Sequence, residues 1–359
     1  MKRRNGGFTL LEMLIVIVIF GFVLAGTSQM FVSTLTTHRQ QSKIAETNIE
    51  GIIGLELLRQ DLGKAGYGLP WSGMTTTLEA LSNPYSLNDA ATLPPRGIAG
   101  ANDVTGGPAL TGTDYLAIKA TNVATNDACG KWMFLSPGAA AAPVLWTPAT
   151  ENLDPNDRVI VLSPGTLTSS NARSLITSGT LYSDVANYAD SSTDNETRII
   201  YGVDPDTNLR MPFNRADFYV KIPSTGMPQR CAQGTGNLYK AVVNHNGGGM
   251  TDMPLLDCVA DMQVIFRRDL TGDGIPDNWT EDISASNAQD IRDQVKEVRV
   301  FILAQEGQFD KNYTYSVNPV HVGDALYGRD FNFATNGIQN WQNYRWKIYT
   351  LVVKLENLL

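Results

Sequence analysis

The amino-terminal part of the chain carries a long apolar stretch at residues 8–26, in which Thr9 and Glu12 are the two polar side chains. A helix of about 20 apolar residues spans a bilayer, so this stretch predicts a membrane-spanning helix. A carboxylate inside lipid is costly, and its presence there indicates a function. We therefore take Glu12 as the first candidate functional residue.

Helical periodicity continues beyond the apolar stretch. No proline occurs in residues 27–62, and large apolar side chains recur at steps of three and four residues, at Ile49, Ile52, Leu55, Leu58 and Leu62. This spacing predicts that residues 27–66 continue the helix and lay an apolar stripe against a globular head. Gly63, Gly66, Gly68 and the following Pro70 predict its end. A helix from residue 8 to about residue 62 is roughly 80 Å long.

Beyond Pro70 the periodicity changes to that of β-strands. Runs bounded by turn residues predict strands at residues 114–119, 157–162, 258–266, 295–303 and 344–355. Alternation predicts one face formed by Cys258, Ala260, Met262, Val264 and Phe266, and another formed by Val298, Val300 and Ile302. We expect an α+β fold in which the long helix packs on a mainly antiparallel sheet. The extracytoplasmic head is expected at residues 67–359, enlarged by loop-rich insertions.

The basic start of the chain, with Lys2, Arg3 and Arg4, has three interpretations. A secretory signal peptide is cleaved after its apolar core, whereas here the glycine pair precedes the core. A plain signal anchor explains the basic flank as the cytoplasmic side, but it does not explain Glu12. The run at residues 6–14, Gly-Gly-Phe-Thr-Leu-Leu-Glu-Met-Leu, resembles the leader of type IV pilins and type II secretion pseudopilins.

This resemblance implies that residues 1–7 are a leader, that a prepilin peptidase cleaves between Gly7 and Phe8, and that it methylates the new amino terminus at Phe8. The glutamate of the family motif corresponds to Glu12. Phe8 and Glu12 are four residues apart, so they share one face of a helix. In a filament we expect Glu12 of an incoming subunit to pair with the Phe8 amine of a neighbour, because an unpaired buried charge costs several kcal/mol.

Four later segments resemble the PilW group of large minor pilins within this superfamily. They lie at residues 53–68, 256–266, 296–303 and 349–357, whereas residues 70–230 match the group loosely. Glu356 departs from the group, which more often has arginine there. The resemblance implies a lollipop-shaped pilin fold and a minor pilin that primes pilus assembly at the tip. It also implies an inner-membrane subunit with a periplasmic head, which enters an extracellular pilus with other minor pilins, the major pilin and a tip adhesin.

Two alternatives stay open. A type II secretion pseudopilin of the tip complex shares the leader and Glu12, and a membrane-anchored binding domain outside either machine shares the apolar helix. A head of about 290 residues is bulky for a repeating shaft subunit. A terminal subunit faces no such packing limit, so head size favours the tip of a pilus.

Charge and motif content exclude other classes of function. The net charge of −8 falls to −11 without the leader, and the pI is about 5.0, which argues against nucleic acid as a partner. His38, His245 and His321 lack metal-ligand spacing, and no nucleophile elbow or phosphate loop occurs. We therefore expect no enzymatic activity. Exposed tryptophans support carbohydrate contact, but tryptophans at this density are mostly core or interface residues.

The segment at residues 269–277 carries oxygen ligands on alternate positions, at Asp269, Thr271, Asp273, Asp277 and the Ile275 carbonyl. This spacing copies part of an EF-hand loop, with Gly274 at the sharp turn. Thr280 stands where the closing glutamate belongs, so Glu281 or Asp282, or groups from elsewhere, would complete the site. The sequence favours Ca²⁺ as a cofactor over a plain Asp-Gly turn held by side-chain hydrogen bonds.

Three cysteines, Cys129, Cys231 and Cys258, fit an oxidising compartment. If residues 230–241 and 256–266 pair as neighbouring strands, Cys231 and Cys258 can form a disulfide. Closing such a loop would stabilise the fold by roughly 3–4 kcal/mol. Three pairings are formally available, and spacing alone does not choose among them.

Overall fold

A single long helix, α1, runs from Leu10 to Lys64. The computed structural model describes residues 7, 9–72, 74, 77–135, 143–164, 173–176, 183–184 and 197–358. At 1.5 Å per residue α1 is about 80 Å long. Gly66 and Gly68, with φ of 85° and 66°, adopt a conformation that glycine tolerates best, and they end the helix where the sequence predicts. The prediction of a long amino-terminal helix is confirmed.

Beyond α1 the described chain forms strands joined by loops and short 3₁₀ turns, with one short α-helix, α2 (Ala288–Gln294). In chain order the strands are β1 (Ile98–Ala101), β2 (Tyr115–Ala120), β3 (Trp132–Leu135), β4 (Arg158–Ser163), β5 (Ser174–Leu175), β6 (Ser183–Asp184), β7 (Arg198–Asp204), β8 (Asn214–Lys221), β9 (Gly236–Val243), β10 (Met250–Arg268), β11 (Asn278–Thr280), β12 (Val295–Glu306), β13 (Val320–Gly323), β14 (Gly328–Phe331) and β15 (Arg345–Lys354). The strands predicted from the five alternating runs all form, and β10 and β12 extend beyond their predicted bounds.

Among the described residues, eight strands build the main sheet. Its order is β1, β2, β8, β9, β10, β12 and β15, and β11 adds to the end of β10. Every one of these pairs is antiparallel. Val298, Val300 and Ile302 share a buried cluster with α1, which confirms their predicted common face. The hairpin formed by β13 and β14 covers the opposite face of β10 and β12.

The predicted face of β10 is wrong in its first half. Val259 and Met262 belong to the cluster that contacts α1, whereas Ala260 lies in the cluster on the opposite face. The pairing of β10 with β12 shifts between Val259 and Asp261. A β-bulge adds one residue to a strand and so reverses the alternation on one side of it. The simple pattern therefore holds from Met262 onward and fails before it.

The predicted apolar stripe of α1 is only partly the face that contacts the head. Leu55, Leu58 and Leu62 are buried, but Ile49 and Ile52 are 59% and 62% exposed. The helix instead approaches β10 through Gly51 and Gly54, which are both buried. A Cβ at Gly54 would lie 2.0 Å from the carbonyl oxygen of Leu255. Because glycine has no side chain, the backbones of α1 and β10 come into close contact here. The face of α1 that contacts the head is therefore centred nearer to the glycines than the predicted stripe.

We expect Gly54→Ala to destabilise the head by about 1–3 kcal/mol, because an added methyl group in a filled interface forces the backbones apart. This loss exceeds the gain of about 1 kcal/mol in helix propensity. Gly63→Ala is the matched control, since a Cβ there meets no atom within 4 Å. Denaturant unfolding of the full chain in lipid nanodiscs measures both variants. If Gly54→Ala were stabilised as much as Gly63→Ala, close packing at Gly54 would be contradicted.

The described residues between Trp132 and Asp204 contain the strands of a second sheet. Its order is β3, β7, β4 and β5, and β6 pairs with β4. Met133, Leu135, Val159, Val161 and Ile200 form its small buried core. The sequence predicts β4, at residues 157–162, but it does not predict β3 or β7. The insertion therefore adds a sheet as well as loops to the head.

Buried charges hold the segment at residues 77–96 against the main sheet, on the face opposite α1. Lys119 on β2 and Arg215 on β8 stand directly opposite each other on neighbouring strands, and both side chains are fully buried. Lys119 Nζ lies 2.8 Å from Glu79 Oε1 and 2.5 Å from Asp89 Oδ2. Arg215 lies 2.9 Å from Glu79 and 2.7 Å from Asp217. Buried charges require such partners. The carboxylates of this segment, Glu79 and Asp89, are therefore needed to neutralise Lys119 and Arg215.

Candidate assembly site

The predicted cleavage site lies at the start of the described chain. Gly7 is described and exposed. Phe8 and residues 1–6 lie outside the described residues. Cleavage after Gly7 and methylation of Phe8 therefore stay predictions from the sequence.

Glu12 forms a capping box with Thr9 at the beginning of α1. The backbone N–H and the hydroxyl of Thr9 both donate to Glu12 Oε2, at 2.8 and 2.9 Å, and the Glu12 N–H donates back to the Thr9 hydroxyl at 3.3 Å. This arrangement satisfies backbone donors that a helix start leaves unpaired. Within the described residues Glu12 Oε1 accepts no hydrogen bond. One carboxylate oxygen thus caps the helix, and the described residues leave the other available to a cation.

The first half of α1 is long and apolar enough to cross a membrane. Its large side chains from Leu10 to Leu35 are exposed, and the buried positions of the helix begin at Thr47. The apolar exposure continues on the side of the helix facing away from the sheet, at Ile49, Ile52, Ile53 and Leu57. We call these four residues the outer stripe. The helix therefore has two apolar faces in its second half, one against the head and one uncovered in the single chain.

A buried ion pair fixes the end of α1 to the head. Asp61 Oδ2 lies 2.5 Å from Lys240 Nζ on β9, and both residues are buried. Lys64, one turn further along the helix, adds a second contact, 3.0 Å from Asp61 Oδ1. We did not predict this pair from the sequence. The available signal was the position of Asp61, which follows Leu58 by three residues and so lies on the head-facing stripe.

Polar contacts also join α1 to the head nearer its middle. The Thr47 hydroxyl accepts from the Gly307 N–H at 2.9 Å. Arg230 lies 2.6 Å from Glu50 on the helix and 3.0 Å from Asp257 on β10. Together with Asp61 and the glycines, these contacts hold residues 47–62 of α1 against the sheet.

The loop at residues 269–277 is held by its own side chains. Asp269 accepts from the N–H groups of Gly272 and Gly274 at 2.6 and 2.7 Å. Loss of hydration raises the pKa of Asp269, but these hydrogen bonds lower it by more, so its pKa lies below the ordinary value. Asp273 accepts from the Ile275 N–H at 2.8 Å, and Asp277 accepts from the Leu270 N–H at 3.1 Å.

The predicted ligands are therefore not gathered around one point. Among the described residues, no three acidic, histidine or cysteine side chains form a group that could hold a metal ion. Glu281 accepts from the Gly328 N–H, and Asp282 accepts from the Ser284 N–H at 2.7 Å, so both are engaged elsewhere. The arrangement is that of an Asp-Gly turn with side-chain hydrogen bonds. Calcium binding by Asp269, Thr271, Asp273, Ile275 and Asp277 stays a prediction from the sequence.

Calorimetric titration of calcium into the full chain distinguishes the two hypotheses. Under the calcium hypothesis the wild-type chain gives a binding isotherm, and Asp273→Ala abolishes it because a ligand carboxylate is lost. Under the turn hypothesis both chains give heats of dilution alone. Asp269→Ala then lowers the unfolding free energy by about 1–3 kcal/mol with or without EDTA, since two loop N–H groups lose their acceptor.

Cys231 and Cys258 form a disulfide, with Cα atoms 5.0 Å apart. Cys231 lies in a turn before β9, whereas Cys258 lies within β10 in a left-handed conformation, with φ of 58°. The predicted pairing of the two strands occurs, although β9 begins at Gly236. Cys129 is buried, and its thiol donates to the carbonyl oxygens of Ala124 and Asn126. The disulfide closes the turn onto the strand that contacts α1.

Both ends of the chain are similar to known families. Residues 217–357 match the family of the type IV pilus-assembly protein W, PilW. Residues 2–28 match the prokaryotic N-terminal methylation motif. Among solved structures, a type IV-like pilin from Thermus thermophilus aligns at 10% identity with a TM-score of 0.33, over 85% of this chain and 93% of that chain. No curated protein matches the chain significantly.

The two family matches cover the beginning of α1 and several of the strands against which α1 packs. The methylation motif contains Gly7, Phe8 and Glu12, and the PilW match extends from β8 through β15. That match therefore includes Lys240, the disulfide and the strand that receives Gly54. An apolar helix with a methylation motif is thus joined to a carboxy-terminal region similar to the type IV pilus-assembly protein W, and the two matches support a PilW-like type IV minor pilin.

Proposed function

We propose that this minor pilin primes type IV pilus assembly and remains at or near the pilus tip after cleavage between Gly7 and Phe8. The observation that carries the proposal is the environment of Glu12. One of its oxygens caps the helix through Thr9, while Oε1 accepts no hydrogen bond from the described residues. A neighbour's Phe8 amine would form an ion pair with this carboxylate and so enter the apolar core with its charge neutralised.

The outer stripe supports assembly with other helices. Ile49, Ile52, Ile53 and Leu57 lie beyond the predicted membrane segment and are exposed in the single chain. Exposed apolar side chains in water favour burial in an interface. In the filament we expect helices of neighbouring pilins to cover this stripe, which extends the apolar contact beyond the residues that lie in lipid.

The bulk of the head supports a terminal position. The second sheet, built from β3 to β7, enlarges the head beside the main sheet, and a repeating shaft subunit would have to accommodate that volume at every step. The partners in this proposal are the prepilin peptidase, the major pilin, other minor pilins and a tip adhesin. Before assembly the helix lies in the inner membrane with the head in the periplasm, an oxidising compartment compatible with the disulfide.

Mass spectrometry of the native amino terminus tests the proposal. We expect the chain recovered from sheared pili to begin with N-methylated Phe8. A chain that still begins with Met1 in pili would contradict it, as would a processed chain never found with pilus components. Deletion separates the two machines: loss of twitching motility with normal exoprotein secretion supports the pilus, and the reverse phenotype supports a secretion pseudopilus. The PilW family match favours the first outcome.

A further inference from the structure

An aromatic cleft lies on the second sheet, away from the assembly site. Trp132 on β3 and Trp146 in the chain after it have ring centroids 4.8 Å apart and planes inclined at 66°. Phe134, two residues along the same strand, packs against Trp146 with centroids 5.7 Å apart. Two indole rings at this angle form a corner with one ring as its floor and the other as its wall.

The corner is rigid because hydrogen bonds fix Trp146. Its indole Nε1–H donates to the carbonyl oxygen of Trp132 at 2.6 Å. Asn152 accepts from the Trp146 N–H at 2.6 Å and donates back to the Trp146 carbonyl at 3.1 Å. Groups that are fixed before a ligand arrives lose little entropy when it binds. The arrangement is that of a preformed site.

The other tryptophans have structural partners that account for them. Trp341 and Trp346 pack in the cluster beneath the β13–β14 hairpin. Trp279 packs against the guanidinium groups of Arg267 and Arg299. Trp71 packs against those of Arg173 and Arg292. Trp132, by contrast, is 39% exposed, and its side chain is on the face of β3 opposite the buried Met133 and Leu135. More than a third of the Trp132 side chain is therefore open to solvent beside Trp146.

The cleft beside the two rings has a volume of about 220 Å³. Its lining combines apolar faces with one ammonium, one hydroxyl and one carboxylate, contributed by Gly130, Lys131, Trp132, Trp146, Thr147 and Glu151. Lys131 is already paired with Asp127, at 2.6 Å. This volume suits a ligand smaller than a typical drug molecule. Donors and acceptors of both charges at the rim suit a neutral ligand with several hydroxyl groups.

We propose that this cleft binds a neutral carbohydrate. A pyranose ring has an apolar face of C–H groups, which packs on an indole, and a rim of hydroxyls, which both donate and accept hydrogen bonds. Trp132 supplies the apolar floor, and Glu151, Lys131 and Thr147 supply the polar rim. The carboxylate of Glu151 would repel an anionic sugar, and the ammonium of Lys131 would repel a quaternary ammonium ligand. The proposal concerns the head alone and does not depend on filament assembly.

The test uses the full chain in lipid nanodiscs, because glycoside detergents would compete for the cleft. An array of neutral hexose and N-acetylhexosamine oligosaccharides identifies a ligand, and calorimetry then measures its affinity. We expect Trp132→Ala to weaken binding by about tenfold or more. Trp132→Phe should stay within about threefold of wild type, since it keeps an aromatic floor. Trp279→Phe is the matched control outside the cleft and should bind as wild type does.

Fluorine NMR of 5-fluorotryptophan protein keeps the proposal testable if a variant fails to fold. The Trp132 and Trp146 resonances should shift on adding the neutral sugar, while the Trp341 resonance stays constant. If no neutral oligosaccharide binds at concentrations up to about 10 mM, that result overturns the proposal. So does unchanged affinity in folded Trp132→Ala, or tighter binding of tetramethylammonium or of the sialylated forms of the same sugars.

Discussion

Glu12→Ala is expected to leave the chain in the inner membrane and to lower its recovery in sheared pili by more than about 100-fold. Under the proposed function, the variant removes the acceptor for a neighbour's Phe8 amine, which would then enter the apolar core unpaired. Breaking a buried ion pair costs about 3–5 kcal/mol, and 1.4 kcal/mol is a factor of ten. Membrane insertion should be intact, because the substitution makes the segment at residues 8–26 more apolar.

Thr9→Ala is the matched control for this prediction. It removes the hydroxyl that bonds Glu12 Oε2 and costs about 1 kcal/mol of helix capping, but it leaves the carboxylate in place. We therefore expect near-normal incorporation of Thr9→Ala. Immunoblots of membrane and pilus fractions, normalised to the major pilin and checked for leader cleavage, measure both variants. Normal incorporation of processed Glu12→Ala, or equal losses in the two variants, would refute a role for the charge in assembly.

Asp61→Ala is expected to lower the unfolding free energy of the head by about 3–5 kcal/mol. Lys240 is buried and lies 2.5 Å from Asp61, so the variant leaves an ammonium group in the interface with no carboxylate in contact among the described residues. Such a loss is a large fraction of the stability of an ordinary domain. The end of α1 should detach from β9 before the rest of the sheet unfolds.

Two comparisons isolate the buried charge. Glu56→Ala breaks an exposed pair with Arg59, 3.9 Å apart, and should cost less than about 0.5 kcal/mol. The double variant Asp61→Leu with Lys240→Met replaces the pair by apolar side chains of similar size and should recover most of the lost stability. Denaturant unfolding of the full chain in nanodiscs reports all of these changes. A loss in Asp61→Ala no larger than that in Glu56→Ala would show that Lys240 finds another partner.

Periodicity predicted the elements of this fold better than their faces. The runs at residues 114–119 and 295–303 both form strands, and the predicted face of the second, with Val298, Val300 and Ile302, is buried. Ile49 and Ile52 were misplaced because α1 carries apolar residues on two faces, and hydrophobicity alone does not say which face meets the head. Gly51 and Gly54 decide the question through close contact, yet glycine has no hydrophobic signal of its own.

Among the candidate functional residues, too, those close together in the sequence could be predicted, whereas those brought together by the fold could not. Gly7, Phe8 and Glu12 form a contiguous motif and could be recognised from the sequence. Asp61 and Lys240 are 179 residues apart, and an acid on a helix is usually solvated, so their pairing required the fold. The bulge before Met262 and the β3–β7 pairing likewise depend on strands that are distant in the chain.

The position of β10 determines how the head bears tension. This strand lies between β9 and β12, receives Gly54 of α1 through Leu255, and is tied by Cys258 to the turn before β9. In the proposed filament, a pull along α1 would therefore reach an interior strand of the sheet rather than a free edge. We expect such a load to be shared by the hydrogen bonds of β10 to β9 and to β12, and so to be resisted where α1 is attached.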